Sequence, residues 1–353
     1  MTKEELTIFN VGCNLDTLMN LDPRGYGVCR ILYDGARKFT GEPLSTNGAK
    51  GLIKHIKKGK KVFIFTGFVL LPWKEAETDG IISSCLFAKF IMKAFGAKPV
   101  MLIPSQCEKA IKALSNVLDF AVTDDIDDKS ENTVTYIIFT KERDEAPVQA
   151  KEILSHGKPC AAISIEAPGR NKNGFYHNAV GVNTTGVEAK YDVLFKMCKD
   201  AGIYNLSIGD LGNEIGMAAI EDHIRKYVPY AEMGGCKAGS GFGILADTVA
   251  DNIITATVSY WGCNALMAAT AFLLKKPELF HDTEEQSAAM DAAAAAGMLD
   301  MYGKPRPYID GIGKNINLPL VAMMRALIEY PATVEDKTQE WFTHTLEKGY
   351  FTR

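Results

Sequence analysis

Nothing in this 353-residue chain is built to cross a membrane, to carry disulfides or to grip nucleic acid. The longest apolar run, Trp261 to Leu274, is too short to span a bilayer and stops at Lys275 and Lys276. The eight cysteines include no CxxC pair and follow no framework spacing, so they read as reduced, mostly buried thiols. The first residues, Met1-Thr2-Lys3-Glu4-Glu5, lack the architecture of a signal peptide. A formal net charge of −4 and a pI near 5.9 supply no basic face for nucleic acid. These absences predict a soluble, cytoplasmic protein.

Hydrophobic content of 47% and charged content of 23% are those of an ordinary globular chain. The length suits one large α/β domain over residues 1–353, with room for two lobes. Short apolar runs alternate with helical patterns. Strands are expected over residues 62–65, 99–103, 133–139, 160–165, 204–208 and 252–258. Helices are expected over 47–60, 81–95, 105–118, 146–157, 187–201, 261–276, 288–296, 318–330 and 338–348. Residues 11–30, with Asn20, Asp22, Pro23, Arg24 and Gly25, read as a turn-rich stretch. This alternation predicts a mostly parallel sheet with helices on both faces and a helical C-terminal part.

The chain is organised around Ser207-Ile208-Gly209-Asp210-Leu211-Gly212-Asn213-Glu214-Ile215-Gly216-Met217. A buried strand stops at a glycine and an acid, and Asn213 and Glu214 are expected to open a helix running through Ile220, Ile224 and Tyr227. Capping and dipole complementation account for one such acid. Three polar side chains on a glycine-rich turn also suit a divalent cation or an ammonium group, and they repel phosphate. Both readings stay open from the residues alone.

Two further strands end in polar loops. One delivers Thr66-Gly67-Phe68 and then Glu77-Thr78-Asp79-Gly80. The other delivers Glu166, Arg170, Asn173, His177 and Asn178, followed by a helix on which Asp192 is expected to be exposed. Right-handed crossovers put all carboxyl ends on one sheet edge, so Thr66, Glu77, Asp79, Glu166, Arg170, Asp210, Asn213 and Glu214 should converge. Several carboxylates facing one cleft need a cation or a proton between them. An all-oxygen set suits Mg²⁺, Mn²⁺ or Ca²⁺. The glycine-rich stretch from Gly234 to Gly243 fits no nucleotide fingerprint, so no nucleotide cofactor is expected and a loop or lid is the reading.

The ordered set Thr66-Gly67-Phe68, Glu77-Thr78-Asp79-Gly80, Ile165-Glu166 with Pro168-Gly169-Arg170, Gly209-Asp210 with Gly212-Asn213-Glu214-Ile215-Gly216-Met217, Trp261-Gly262 and Asp310-Gly311 resembles the C-terminal domain of the D-glutamate cyclase family, over about residues 14 to 330. That domain also occurs as a stand-alone protein; in full-length cyclases a separate hydro-lyase-like domain precedes it, and none is expected within these 353 residues. Leu211 and Ala218 stand where the family usually has glycine.

The resemblance implies dehydration of D-glutamate to 5-oxo-D-proline, with an amino acid as the small-molecule partner. It implies Asp79, Asp210 and Glu214 around a divalent metal, Glu77 or Glu166 as base, and Arg170 or Arg24 on the α-carboxylate. Thr66, Gly67 and Asn213 complete the substrate site. A metal-dependent phosphohydrolase and a non-enzymatic metal or amino-acid binder use the same acidic edge as rival readings. The Ala-rich helices near the C-terminus leave room for a homo-oligomer.

Overall fold

The computed structural model describes residues 1–333 and 344–351. In chain order come α1 (Lys3–Met19), α2 (Val28–Thr40), α3 (Leu44–His55), β1 (Lys61–Thr66), the short hairpin β2 (Val69–Leu70) and β3 (Glu75–Ala76), α4 (Thr78–Phe95), β4 (Lys98–Ile103), α5 (Glu108–Leu118), β5 (Ala121–Thr123), β6 (Thr133–Ile138), α6 (Ala146–Ser155), β7 (Ala161–Ile165), α7 (Tyr191–Asp200), β8 (Tyr204–Gly209) and α8 (Glu221–Tyr227). After these follow β9 (Asn252–Thr255), α9 (Ser259–Leu273), α10 (Thr283–Ala295), the hairpin β10 (Tyr308–Ile309) and β11 (Ile312–Gly313), and α11 (Lys314–Glu329).

Seven strands form one parallel sheet in the order β5-β6-β4-β1-β7-β8-β9. The expected α/β class holds. The central strands read as unbroken apolar runs because helices cover both faces: every residue of β7 and β8 is buried. Helix α9 lies in the helical layer against α1, α3, α4 and α11, and it is buried along nearly its whole length. On another flank α6 packs on α7.

The strand order reverses beside β1. From there the chain goes to β4, out to the edge at β5 and back to β6 between them, and later winds outward through β7, β8 and β9. The boundary between β1 and β7 is therefore a topological switch point, where the first crossovers leave in opposite directions and a crevice opens beyond the strands' carboxyl ends. Thr66 and Ile165 stand side by side in register at that edge, so the loops after them, with Gly67 and Glu166, begin at the crevice.

Several expectations are corrected. The turn-rich reading of residues 11–30 holds only for the short link between α1 and α2; Leu15 and Met19 of α1 and Leu32 of α2 are fully buried. Asn213 and Glu214 do not open a helix. Gly212 and Gly216 take positive φ values of 94° and 93°, which breaks any helical run, and α8 starts at Glu221. The short edge strand β5 was not anticipated. Of the helix expected over residues 338–348, residues 338–343 lie outside the described residues, and 344–347 are helical. Among the described residues no helix is long and apolar enough to cross a membrane.

Candidate active site

The carboxyl end of β8 turns sharply at Gly209-Asp210, and the turn is braced from within. Glu214 is fully buried; its Oε1 accepts the backbone N–H groups of Asp210 (2.7 Å) and Leu211 (2.8 Å), and its Oε2 accepts that of Gly212 (2.7 Å). This corrects the expectation that Glu214 is a metal ligand. Its two oxygens hold the turn that presents Asp210.

Asp79 is presented by a break in α4. Asp79 (φ −68°, ψ 147°) and Gly80 (φ 86°, ψ −60°) leave helical geometry, and the side chain of Asp79 folds back so that Oδ1 accepts the N–H of Gly80 at 2.7 Å. Gly80 is required twice over. Its φ lies in the left-handed region, and a Cβ there would meet Thr66 Oγ1 at 2.6 Å and the Cβ of Glu166 at 3.1 Å. Oδ1 of Asp79 also accepts the N–H of Tyr260 at 3.1 Å, so the first turn of α9 points its positive end at this carboxylate.

Glu166 follows β7 with φ 47°, a left-handed conformation in a residue that has a Cβ. Such strain is characteristic of functional positions. Its Oε2 accepts the hydroxyl proton of Ser259, again from the start of α9. One oxygen each of Asp79, Glu166 and Asp210 lies within 4.8 Å of the other two, and all three residues are buried.

Burial pushes the carboxyl groups of Glu77, Asp79, Glu166 and Asp210 above their ordinary range, and neighbouring acids add to it. For Asp79 burial and the charge of Asp310 raise the value to about 8, against the lowering pull of the Gly80 and Tyr260 amides. These groups do not all ionise together without a cation. Oδ2 of Asp79 and Oδ1 of Asp210 are buried with no hydrogen-bond partner. Two orphaned, hard oxygens beside a third carboxylate fit a divalent ion of the Mg²⁺, Mn²⁺ or Ca²⁺ kind. Ligands on opposite sides of such an ion stand about 4 to 5 Å apart.

The cluster opens into a cavity of about 360 Å³, within the range of small-ligand sites. Its walls include Glu77, Asp79, Glu166, Asp210, Asn213 and Asp310, and the β2–β3 hairpin with Phe68, Leu70 and Trp73 closes an apolar side. Asn213 is held by donating from Nδ2 to the carbonyl of His177 at 2.9 Å. Leu211, where the family resemblance led one to expect glycine, forms part of the wall; Gly212 takes over the left-handed step of the turn.

Other expected residues stand behind the walls. Thr66 is buried at the end of β1 and its carbonyl accepts the hydroxyl of Tyr191 at 3.1 Å, while Gly67 (φ 106°) packs against Pro104. Arg24 donates to the carbonyl of Asp310 at 2.8 Å and pairs with its carboxylate. Arg170 is not among the residues lining the cavity and pairs with Asp192 (3.1 Å) and Asp247 (3.5 Å). Asp192 is not exposed as expected; it is fully buried and accepts the hydroxyl of Tyr176 as well. Arg170 is therefore committed to a buried acid, and its expected role on substrate is corrected. The glycine-rich stretch 234–243 is an irregular loop pinned by Lys237 N–H to Gly181 O at 2.9 Å.

In the sequence Asp310 and Glu188 carry no assigned role, and Ser259 reads only as part of the cap of an Ala-rich helix. Asp310 left a signal: it precedes Gly311 in a tight hairpin and has φ 48°, an unusual conformation that Asp tolerates better than most residues. Ser259 stood visible as the first residue of an apolar helix. Glu188 left none, because nothing in its neighbours marks it as buried.

Residues 15–325 match the family described as D-glutamate cyclase-like, C-terminal. A relative of known function is human mitochondrial D-glutamate cyclase, 32% identical over 112 residues, which is 31% of this chain and 17% of the human protein.

Proposed function

The chain belongs to the D-glutamate cyclase-like C-terminal family, and from that premise we propose that it dehydrates D-glutamate to 5-oxo-D-proline at the acidic crevice. The observation that carries the proposal is the meeting of Asp79, Glu166 and Asp210, with two orphaned oxygens, at the switch point of the sheet. In the reaction a C–N bond forms between the amine and the γ-carboxyl carbon, a C–O bond breaks, and one water leaves, with no oxidant or reductant.

Asp79, Glu166 and Asp210 are the residues that would hold a divalent ion, which would supply Lewis acidity to the reacting carboxyl group. Glu77 lines the same cavity and takes a proton from the substrate ammonium. Burial and Asp310 hold its carboxyl well above the ordinary range, which makes its ionised form a better acceptor, and its neutral form returns the proton to the departing oxygen; the second proton, which the nitrogen gives up once the C–N bond has formed, takes the same route, so that the oxygen leaves as water. The acidic walls attract the ammonium, and the cavity confines the chain in a curled shape that brings the amine to the carboxyl. Among the described residues that line the cavity none is Lys or Arg, which argues against the phosphohydrolase reading.

The test is product formation from D- and L-glutamate by the chelator-treated protein, before and after Mg²⁺ or Mn²⁺ is restored. Metal-dependent 5-oxoproline from the D isomer is the expected result. No product from either isomer under any condition, with the ion bound, refutes the proposal.

A further inference from the structure

The cavity holds one more buried acid, which the chemistry above does not use. Glu188 lies in the segment leading into α7, is 1% exposed, and lines the same cavity as the acidic cluster. Its Oε2 accepts the N–H of Val69 at 3.3 Å, and its Oε1 has no hydrogen-bond partner. Phe68, Val69, Leu70 and Val180 make this part of the wall apolar.

The nearest cation does not neutralise it. Lys190 donates its ammonium to the backbone carbonyls of Thr185 (2.7 Å) and of Glu188 itself (2.6 Å), and lies 4.4 Å from the centre of the Tyr176 ring. Burial raises the carboxyl of Glu188 to about 8, and the Val69 amide, the Thr184 hydroxyl and the Lys190 charge only partly offset this. The other titratable group beside it, Tyr191, is buried and hydrogen-bonded to Thr66. Glu188 therefore carries its proton at neutral pH; the Thr184 hydroxyl stands beside its carboxyl, and Oε1 itself makes no hydrogen bond to the protein.

A ligand with two carboxylates needs a receiver for the one that does not react. The two arginines expected for that task are engaged elsewhere, Arg24 with Asp310 and Arg170 with Asp192, and no Lys or Arg is among the described residues lining the cavity. We propose that Glu188, in its neutral form, donates a hydrogen bond from its orphaned carboxyl oxygen to a substrate carboxylate and so selects dicarboxylic ligands for this cavity. A carboxylic acid facing a carboxylate makes a short, charge-assisted hydrogen bond, and an ionised Glu188 repels the same group.

This inference rests on the cyclase reading for the identity of the substrate, and its test is chosen to separate the two. The probe is glutarate, which has the carbon chain and both carboxylates of glutamate but no amine and cannot cyclise. Its binding is followed by calorimetry with Mg²⁺ present at pH 7 and pH 9.5. The wild-type protein should lose at least about tenfold in affinity at the higher pH as Glu188 ionises. Glu188→Gln, which keeps a donor that does not titrate, should bind equally at both, and Glu188→Ala should bind weakly at both. An alkaline loss of the same size in Glu188→Gln, or wild-type affinity in Glu188→Ala, overturns the inference. If this pattern appears but D-glutamate is not converted, the cyclase reading falls and the carboxylate receiver stands. If D-glutamate is converted but glutarate binding ignores pH, the reverse holds.

Discussion

Glu214 stands four residues after Asp210 and binds the backbone of the very turn that carries it, with the N–H of Asp210 itself 2.7 Å from Oε1. Two acids that look equivalent in the sequence thus have different work. One faces the cavity with an oxygen to spare, and the other is consumed in holding it there.

The first prediction follows from that division. Glu214→Gln leaves one oxygen for three amides and puts an NH₂ against N–H groups, so it should cost about 2 kcal/mol of stability. Because the turn then relaxes, turnover should fall at least tenfold as well. Denaturant unfolding together with a turnover assay checks both, and an unfolding midpoint equal to that of the wild type would refute the bracing role.

Arg170 gives the opposite expectation. Its guanidinium is about one-third exposed and pairs with the buried Asp192. Arg170→Met should therefore leave Asp192 short of its cation and lower stability by about 1–2 kcal/mol, with the exposed side of the pair screened by water. The KM for D-glutamate should stay within about threefold of the wild type. A large rise in KM with unchanged stability would return Arg170 to the substrate.

How much of this was legible in the residues depends on how local each cause is. The strands β1, β4, β7 and β8 show as apolar runs because both their faces are covered, and each ends in a polar turn that can be read without a partner. Glu77, Asp79, Glu166, Asp210 and Asn213 were found that way, and they line the cavity together. Arg170 and Asp192 were misread because their pairing spans a loop and a helix start, and neither residue signals its burial. Helix α1 was missed because Asn20 to Gly27 dominates the reading of a stretch in which Leu15 and Met19 are core. The helix expected at Asn213 fails because Gly212 and Gly216 need positive φ, which a polar pattern cannot reveal.

The raised carboxyls make stability depend on pH in a stated direction. Asp79 moves from an ordinary value of 3.8 to about 8 on folding, so the folded protein holds that proton longer than the unfolded chain does. Its contribution is full below about pH 4 and is lost as pH climbs toward 8. In chelator-treated protein the wild-type melting temperature should therefore fall relative to that of Asp79→Asn between pH 5 and pH 8, by more than about 3 °C. The difference between the two curves isolates this group from other titrating residues, such as the buried His281. Parallel curves would show that Asp79 is not held neutral.

The most direct measurement is Mn²⁺ binding by calorimetry, paired with D-glutamate turnover, in the wild type and in Asp210→Asn. The variant removes one carboxylate of the cluster and leaves the Glu214 brace in place, so the fold is expected to persist. Both Mn²⁺ affinity and turnover should fall by at least about tenfold, since Asp210 would contact the ion directly and even losing a residue that only supports a metal ligand costs that much. Wild-type affinity and wild-type turnover in Asp210→Asn would contradict the metal-assisted account at its centre.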